Sequence, residues 1–96
     1  MSKAVSIKDL EDGKLKNKPV HIFGWVKTFR SNRFISLNDG STINDIQCVV
    51  DLNNIEIDTN RITTGTSIEV YGKLVESLGK GQNFEILVDK LNLLGA

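Results

Sequence analysis

GWVKTFRSNRFISLND, residues 24–39, decides how this chain is read. On either side of a short basic break one face repeats at every second position, Gly24 and Val26 before it and Ile35 and Leu37 after it, and the stretch holds three of the six aromatic side chains of the sequence. Period two is the signature of a pleated strand with one buried face. Extended backward, the pattern places Val20, Ile22, Gly24 and Val26 on one side and His21, Phe23, Trp25 and Lys27 on the other. A first strand is therefore expected over 19–30, with Gly24 where a small barrel bends or bulges its strand. Past residues 31–33, Ile35 and Leu37 alternate with Phe34, Ser36 and Asn38, giving a second strand over 33–38.

The same period governs most of the chain beyond residue 38. Asn38-Asp39-Gly40-Ser41 reads as a tight hairpin turn, with Gly40 supplying a positive backbone angle. A third strand over 43–50 turns Ile46, Cys48 and Val50 inward and Asp45, Gln47 and Val49 outward. A fourth over 67–76 alternates Ile68, Val70, Gly72 and Leu74 with Glu69, Tyr71, Lys73 and Val75. A fifth, from 83 to 91 or beyond, alternates Phe84, Ile86 and Val88 with Glu85, Leu87 and Asp89, after a glycine-rich loop at 78–82. A short helix is expected over 52–64 between the third and fourth strands, and a turn or two of helix at 6–11, capped by Ser6 with Asp9 and ended by Gly13.

Strand, strand, strand, short helix, strand, strand, with glycines midway along the first and fourth strands, is the element order of an all-β OB-fold, a five-stranded Greek-key barrel. An SH3-like barrel is the alternative, but it lacks a helix between strands three and four. Residues 1–17 then form an N-terminal extension, and 18–96 form the barrel. The OB-fold's usual ligand surface is the face of strands two and three, flanked by the loops at 31–33 and 79–82.

Bulk properties narrow the function less. Ninety-six residues make one domain, and a chain this short buries only about 60–65% of the surface it exposes unfolded. Twelve basic side chains cancel twelve acidic ones, yet residues 13–38 contain Lys14, Lys16, Lys18, Lys27, Arg30 and Arg33 and no acid. The single cysteine, Cys48, cannot form an intramolecular disulfide, which favours a cytoplasmic setting. No signal-peptide region or membrane-spanning apolar run is present. His21 is the only histidine and Cys48 points inward, so neither a zinc set nor a Cys-His pair can be assembled. Gly79-Lys80-Gly81-Gln82 lacks the spacing of a P-loop.

Alternation puts Phe34 on the solvent side of its strand, with Gln47 facing outward on the next strand, so that the two stand side by side. A ring beside an amide suits an unpaired nucleobase, because the ring stacks on the base plane and the amide pairs with its edge. Arg30 and Arg33 flank a two-residue loop and either reach phosphates around that base or serve as exposed solubilising charges. Glu85 is either a solvated strand glutamate or an acceptor for the paired N1 and N2 donors of guanine. Lys27, and Gln82 in the glycine-rich loop, complete the candidate RNA-binding set. Phe23, Trp25 and Phe29 are expected to be structural, on a second hydrophobic patch under the N-terminal segment, and Tyr71 likewise. Two other functions fit an OB barrel: general single-strand binding and protein interaction.

HIFGWVKTFRSNRFISLNDGSTINDIQCVVD, with RITTGTSIEVYGKLVESLGKGQNFEI, resembles the N-terminal anticodon-binding domain of the class II aminoacyl-tRNA synthetases for asparagine, aspartate and lysine. The asparaginyl members are most similar, through TTGTSIEVYGKLV and GKGQNFEI. The resemblance covers about residues 18–95. It implies an OB-fold that stacks the middle anticodon uridine on Phe34, pairs it with Gln47, uses Arg30 at the end of the first strand and meets a first-position guanosine with Glu85. It implies that the partner is the anticodon loop of tRNA(Asn) and that the domain itself needs no cofactor. It further implies a longer parent enzyme that binds ATP and magnesium, works as a homodimer in the cytoplasm, and carries its catalytic domain outside these 96 residues.

Overall fold

The alternation around Gly24 is realised as one long strand, β1 (Pro19–Arg30). The computed structural model describes residues 4–31, 33–51, 62–77 and 84–95. After β1 come β2 (Phe34–Asn38), β3 (Ile46–Val49), β4 (Ser67–Glu76) and β5 (Phe84–Gly95), preceded by the short helix α1 (Ile7–Leu10). The helix expected over 52–64 falls almost wholly outside the described residues, as do the glycine-rich loop at 79–82 and Gln82.

β1 serves two neighbours. Its first half pairs with β4, from Pro19 opposite Lys73 to Trp25 opposite Ser67. Its second half pairs with β2, from Trp25 opposite Asn38 to Arg30 opposite Phe34. With β3 antiparallel to β2 and parallel to β5, the strands close into a barrel in the order β1-β2-β3-β5-β4. Gly24 lies at the changeover, where an added Cβ would come within 2.6 Å of the Asn38 carbonyl oxygen. The residue is there because two backbones cross closely, whereas the bulge itself falls three residues later.

That bulge matters for the site. The β1–β2 ladder skips Lys27, passing from Val26 opposite Leu37 to Thr28 opposite Ser36. An extra residue reverses the facing of everything beyond it. Phe29 therefore turns inward opposite Ile35 and packs on the core, and Arg30 turns outward opposite Phe34. Phe29 thus parts company with Phe23 and Trp25, which stay 44% and 37% exposed on the outside of the barrel. Among the described residues the N-terminal segment spends its apolar side chains elsewhere: Ile7 and Leu10 are buried in the barrel core.

α1 is held by a capping box, with Ser6 Oγ accepting from Asp9 N–H and the Asp9 carboxylate accepting from Ser6 N–H. Gly13 follows at φ +76°. Asp39 ties this helix to the β2–β3 connection by accepting from Ile7 N–H at 2.9 Å and from Ser41. Burial pushes the Asp39 carboxyl up, but the bonds from Ser41 and Ile7 outweigh it and leave it below the usual carboxylate value. The connection is not the tight hairpin expected. Asn38 Nδ2 donates to the carbonyls of Thr42 and Asn44 and to Asp45, while its Oδ1 accepts from Gly40 N–H. Residues 39–45 wrap around that side chain, and β3 begins only at Ile46. Cys48 faces the core as expected, and burial pushes its thiol up to about 12, so it stays an unreactive hydrophobe.

On the outer face of β1 and β4, Glu69 is a hub. It accepts from Asn92 Nδ2 at 2.8 Å, from His21 Nε2 at 2.8 Å and from the Tyr71 hydroxyl at 3.2 Å. Tyr71 is structural, stacked on His21 at 4.0 Å, with Lys90 over its ring. Hydrogen bonds from Asn92 and then His21 hold the Glu69 carboxyl below its usual 4.5 against the opposing effect of burial. A depressed folded-state pKa contributes stability that is complete above the unfolded value and is lost as pH falls through the folded one. The urea midpoint should therefore fall on acidification below about pH 4.5, and the Glu69→Gln variant should show a shallower fall. Parallel pH profiles for the two proteins would remove this role.

Candidate nucleic-acid interface

The pairing registers place the candidate residues in two rows that run across the strands on the outside of the barrel. One row is Arg30, Phe34, Val49, Leu87 and Lys73, each opposite the next across the β1–β2, β2–β3, β3–β5 and β5–β4 ladders. The other is Thr28, Ser36, Gln47, Glu85 and Val75, placed by the same four ladders. Beneath them Ile35, Leu37, Cys48 and Ile86 are buried. The pleat sends these residues inward and the two rows outward, since successive side chains of a strand take opposite faces.

Phe34 and Gln47 do share the outer face. They are diagonal neighbours rather than a directly opposed pair, because Phe34 faces Val49 while Gln47 faces Ser36. Diagonal positions lie about 7–8 Å apart, still within reach of aromatic and long side chains. Gln47 is directly beside Glu85 through the parallel β3–β5 pairing, a juxtaposition that sequence reading did not provide. The amide and the carboxylate thus form one hydrogen-bonding strip, next to one apolar ring. Phe34, Gln47 and Glu85 are all half-buried.

The cations gather at the Phe34 end. Arg33 Cζ stands 5.6 Å from the Phe34 ring centroid, within the range of a cation–π contact. Arg30 is exposed opposite the same ring. The ion pairs seen among the described residues, Lys16–Glu76 and His21–Glu69, involve neither arginine. Lys27, the bulged residue, is exposed beside Thr28 at the Ser36 row. The loop between the arginines turns through Ser31 at φ +57°, and Val50 N–H donates to the Arg33 carbonyl at 2.7 Å. This ties the loop to the end of β3 and fixes where Arg33 leaves the barrel.

Charge at the edges, one aromatic platform and a strip of hydrogen-bonding groups suit single-stranded nucleic acid. The family model described as OB-fold nucleic acid binding domain matches residues 20–94. The chain belongs to that family. This OB domain is 46% identical to the asparagine–tRNA ligase of Borreliella burgdorferi over 96 residues, covering 94% of this chain and 21% of the ligase. It is 42% identical to that of Colwellia psychrerythraea, covering 95% of this chain and 21% of the ligase. Among solved structures, asparaginyl-tRNA synthetase from Pyrococcus horikoshii complexed with asparaginyl-adenylate superposes with a TM-score of 0.77 at 24% identity, over 100% of this chain and 23% of that one. An OBody bound to hen egg-white lysozyme superposes at 0.79 with 13% identity, over 99% of this chain and 95% of that one, and shares the fold alone.

The OB domain spans about a fifth of the length of the ligases it matches, and the catalytic domain lies in the part that has no counterpart here. Among the described residues no three His, Cys, Asp or Glu side chains come together where they could hold a metal ion. No helix among the described residues is long and apolar enough to cross a membrane.

Proposed function

We propose that this OB domain reads the anticodon loop of tRNA(Asn) for a parent asparagine–tRNA ligase. The observation that carries the reading is the placement of Phe34, Gln47 and Glu85 on one outer face, with Gln47 directly beside Glu85 and the arginines at the ring. The middle anticodon uridine stacks on Phe34 and pairs with Gln47. The guanosine before it offers its N1 and N2 donors to Glu85. Arg30, Arg33 and Lys27 contact phosphates, and Gln82 belongs to the same proposed RNA-binding set. The parent uses ATP and magnesium to activate asparagine, transfers it to tRNA, and works as a homodimer in the cytoplasm; this domain supplies affinity and specificity.

Substitution at Glu85 tests the reading at its most specific point. An anticodon stem-loop with guanosine at the first position should bind wild type more tightly than one with adenosine. Glu85→Gln should lower that preference by about 1 kcal/mol, because a neutral amide replaces the charged acceptor of a two-bond contact. Equal discrimination by mutant and wild type would refute the assignment. A general single-strand binder would be competed as well by poly(U) as by the folded loop, whereas anticodon reading requires the loop to win.

A further inference from the structure

The outer row does not stop at Phe34. From the ring it continues through Val49 to Leu87 and ends at Lys73. With strands about 4.8 Å apart, the apolar part of this row is about 10 Å long. Leu87 is 43% exposed and Lys73 is exposed. A single exposed leucine is ordinary. A leucine that extends an aromatic platform across three adjacent strands, beside a row of hydrogen-bonding groups and with a cation at its end, suits a ligand that is flat, apolar on its faces and negatively charged along its backbone.

The geometry repeats. Phe34 relates to Gln47 as Val49 relates to Glu85: each is one strand back and one row over. If the Phe34–Gln47 diagonal holds one base, plane on the ring and edge on the amide, the same diagonal one strand further on holds a second. There the floor is Val49 with Leu87 and the edge acceptor is Glu85. Leu87 is held at this surface by its own backbone, whose carbonyl oxygen lies against Gly72 too closely for any side chain there, so the leucine cannot sink inward without parting β4 from β5. Resting on the anticodon reading, we infer that Leu87, with Val49, is the platform for the base whose edge meets Glu85, and that Lys73 meets the phosphate of that nucleotide.

The test titrates an anticodon stem-loop into wild type, Leu87→Ala, Lys73→Gln and Phe34→Ala, using an intact loop and a loop abasic at the first anticodon position. Leu87→Ala should weaken binding of the intact loop about three- to tenfold, somewhat less than an aromatic platform, and should make no difference with the abasic loop. Lys73→Gln should flatten the dependence of log affinity on log salt by about 0.7, the share of one single-strand phosphate contact. Full affinity in Leu87→Ala, or an equal loss with both loops, overturns the inference; if Phe34→Ala still loses affinity, the anticodon reading stands without it. Undiminished binding by Phe34→Ala overturns both. Melting curves of each variant separate lost contacts from lost folding.

Discussion

Phe34→Ala is expected to weaken binding of an anticodon stem-loop by about 1–3 kcal/mol, roughly five- to 150-fold, the usual worth of one stacked base. Its effect on folding should be much smaller. The ring lies on the outer face, opposite Arg30 and Val49, while the next residue, Ile35, is fully buried. Removing the ring therefore opens no cavity in the core, in contrast to the roughly 2–5 kcal/mol that truncating a buried isoleucine would cost. Arg33 should lose its aromatic partner too, so part of the loss is a less well-positioned cation. Phe34→Leu should fall between alanine and wild type, since it restores apolar contact but not a π-face. Isothermal titration checks affinity and thermal denaturation checks the fold. Equal affinities for wild type and Phe34→Ala would count decisively against stacking.

Gly72→Ala carries the largest expected effect on stability. A Cβ at this position would press into the Leu87 carbonyl oxygen and lie 2.7 Å from Ile86 Cγ2. A side-chain tip could move aside, but a carbonyl in the β4–β5 ladder cannot. Gly72 also sits where that ladder slips register, between Tyr71 opposite Lys90 and Gly72 opposite Val88, and this ladder joins the last strand to the closed barrel. We expect a loss of about 3 kcal/mol, at the upper end of overpacking costs, and so a fall in Tm of at least about 12 °C for a domain of this size. Gly95→Ala is the control, because a Cβ there meets nothing within 4 Å. A Gly72→Ala protein that melts within a degree or two of wild type would show that the strands can separate at no cost.

Both predictions turn on strand faces that the sequence largely exposes. Each inward and outward set along β2, β3 and β4 follows from alternation, because a pleat forces neighbouring side chains to opposite sides whatever the rest of the molecule does. Ile35 and Leu37 against Phe34 and Ser36, or Cys48 against Gln47, needed nothing more. The capping box at Ser6 and the positive φ at Gly40 were equally local. The nature of the surface was legible too: an outward aromatic on β2, an outward amide on β3, and basic residues gathered around the first loop.

The tertiary structure decided what lies next to what. Alternation continued straight through β1 would turn Phe29 out and Arg30 in, but the bulge at Lys27, which closure of the barrel imposes on one strand serving two neighbours, exchanges them. Asp39 looks like a simple turn residue, yet its carboxylate holds the N-terminus of α1. Gln47 and Glu85 lie on strands far apart in sequence, and the parallel β3–β5 pairing makes them neighbours. Facing is fixed within a strand by backbone stereochemistry, so the sequence alone determined which groups look outward; adjacency is fixed between strands by how a barrel closes, and only the folded chain could assemble those groups into a surface.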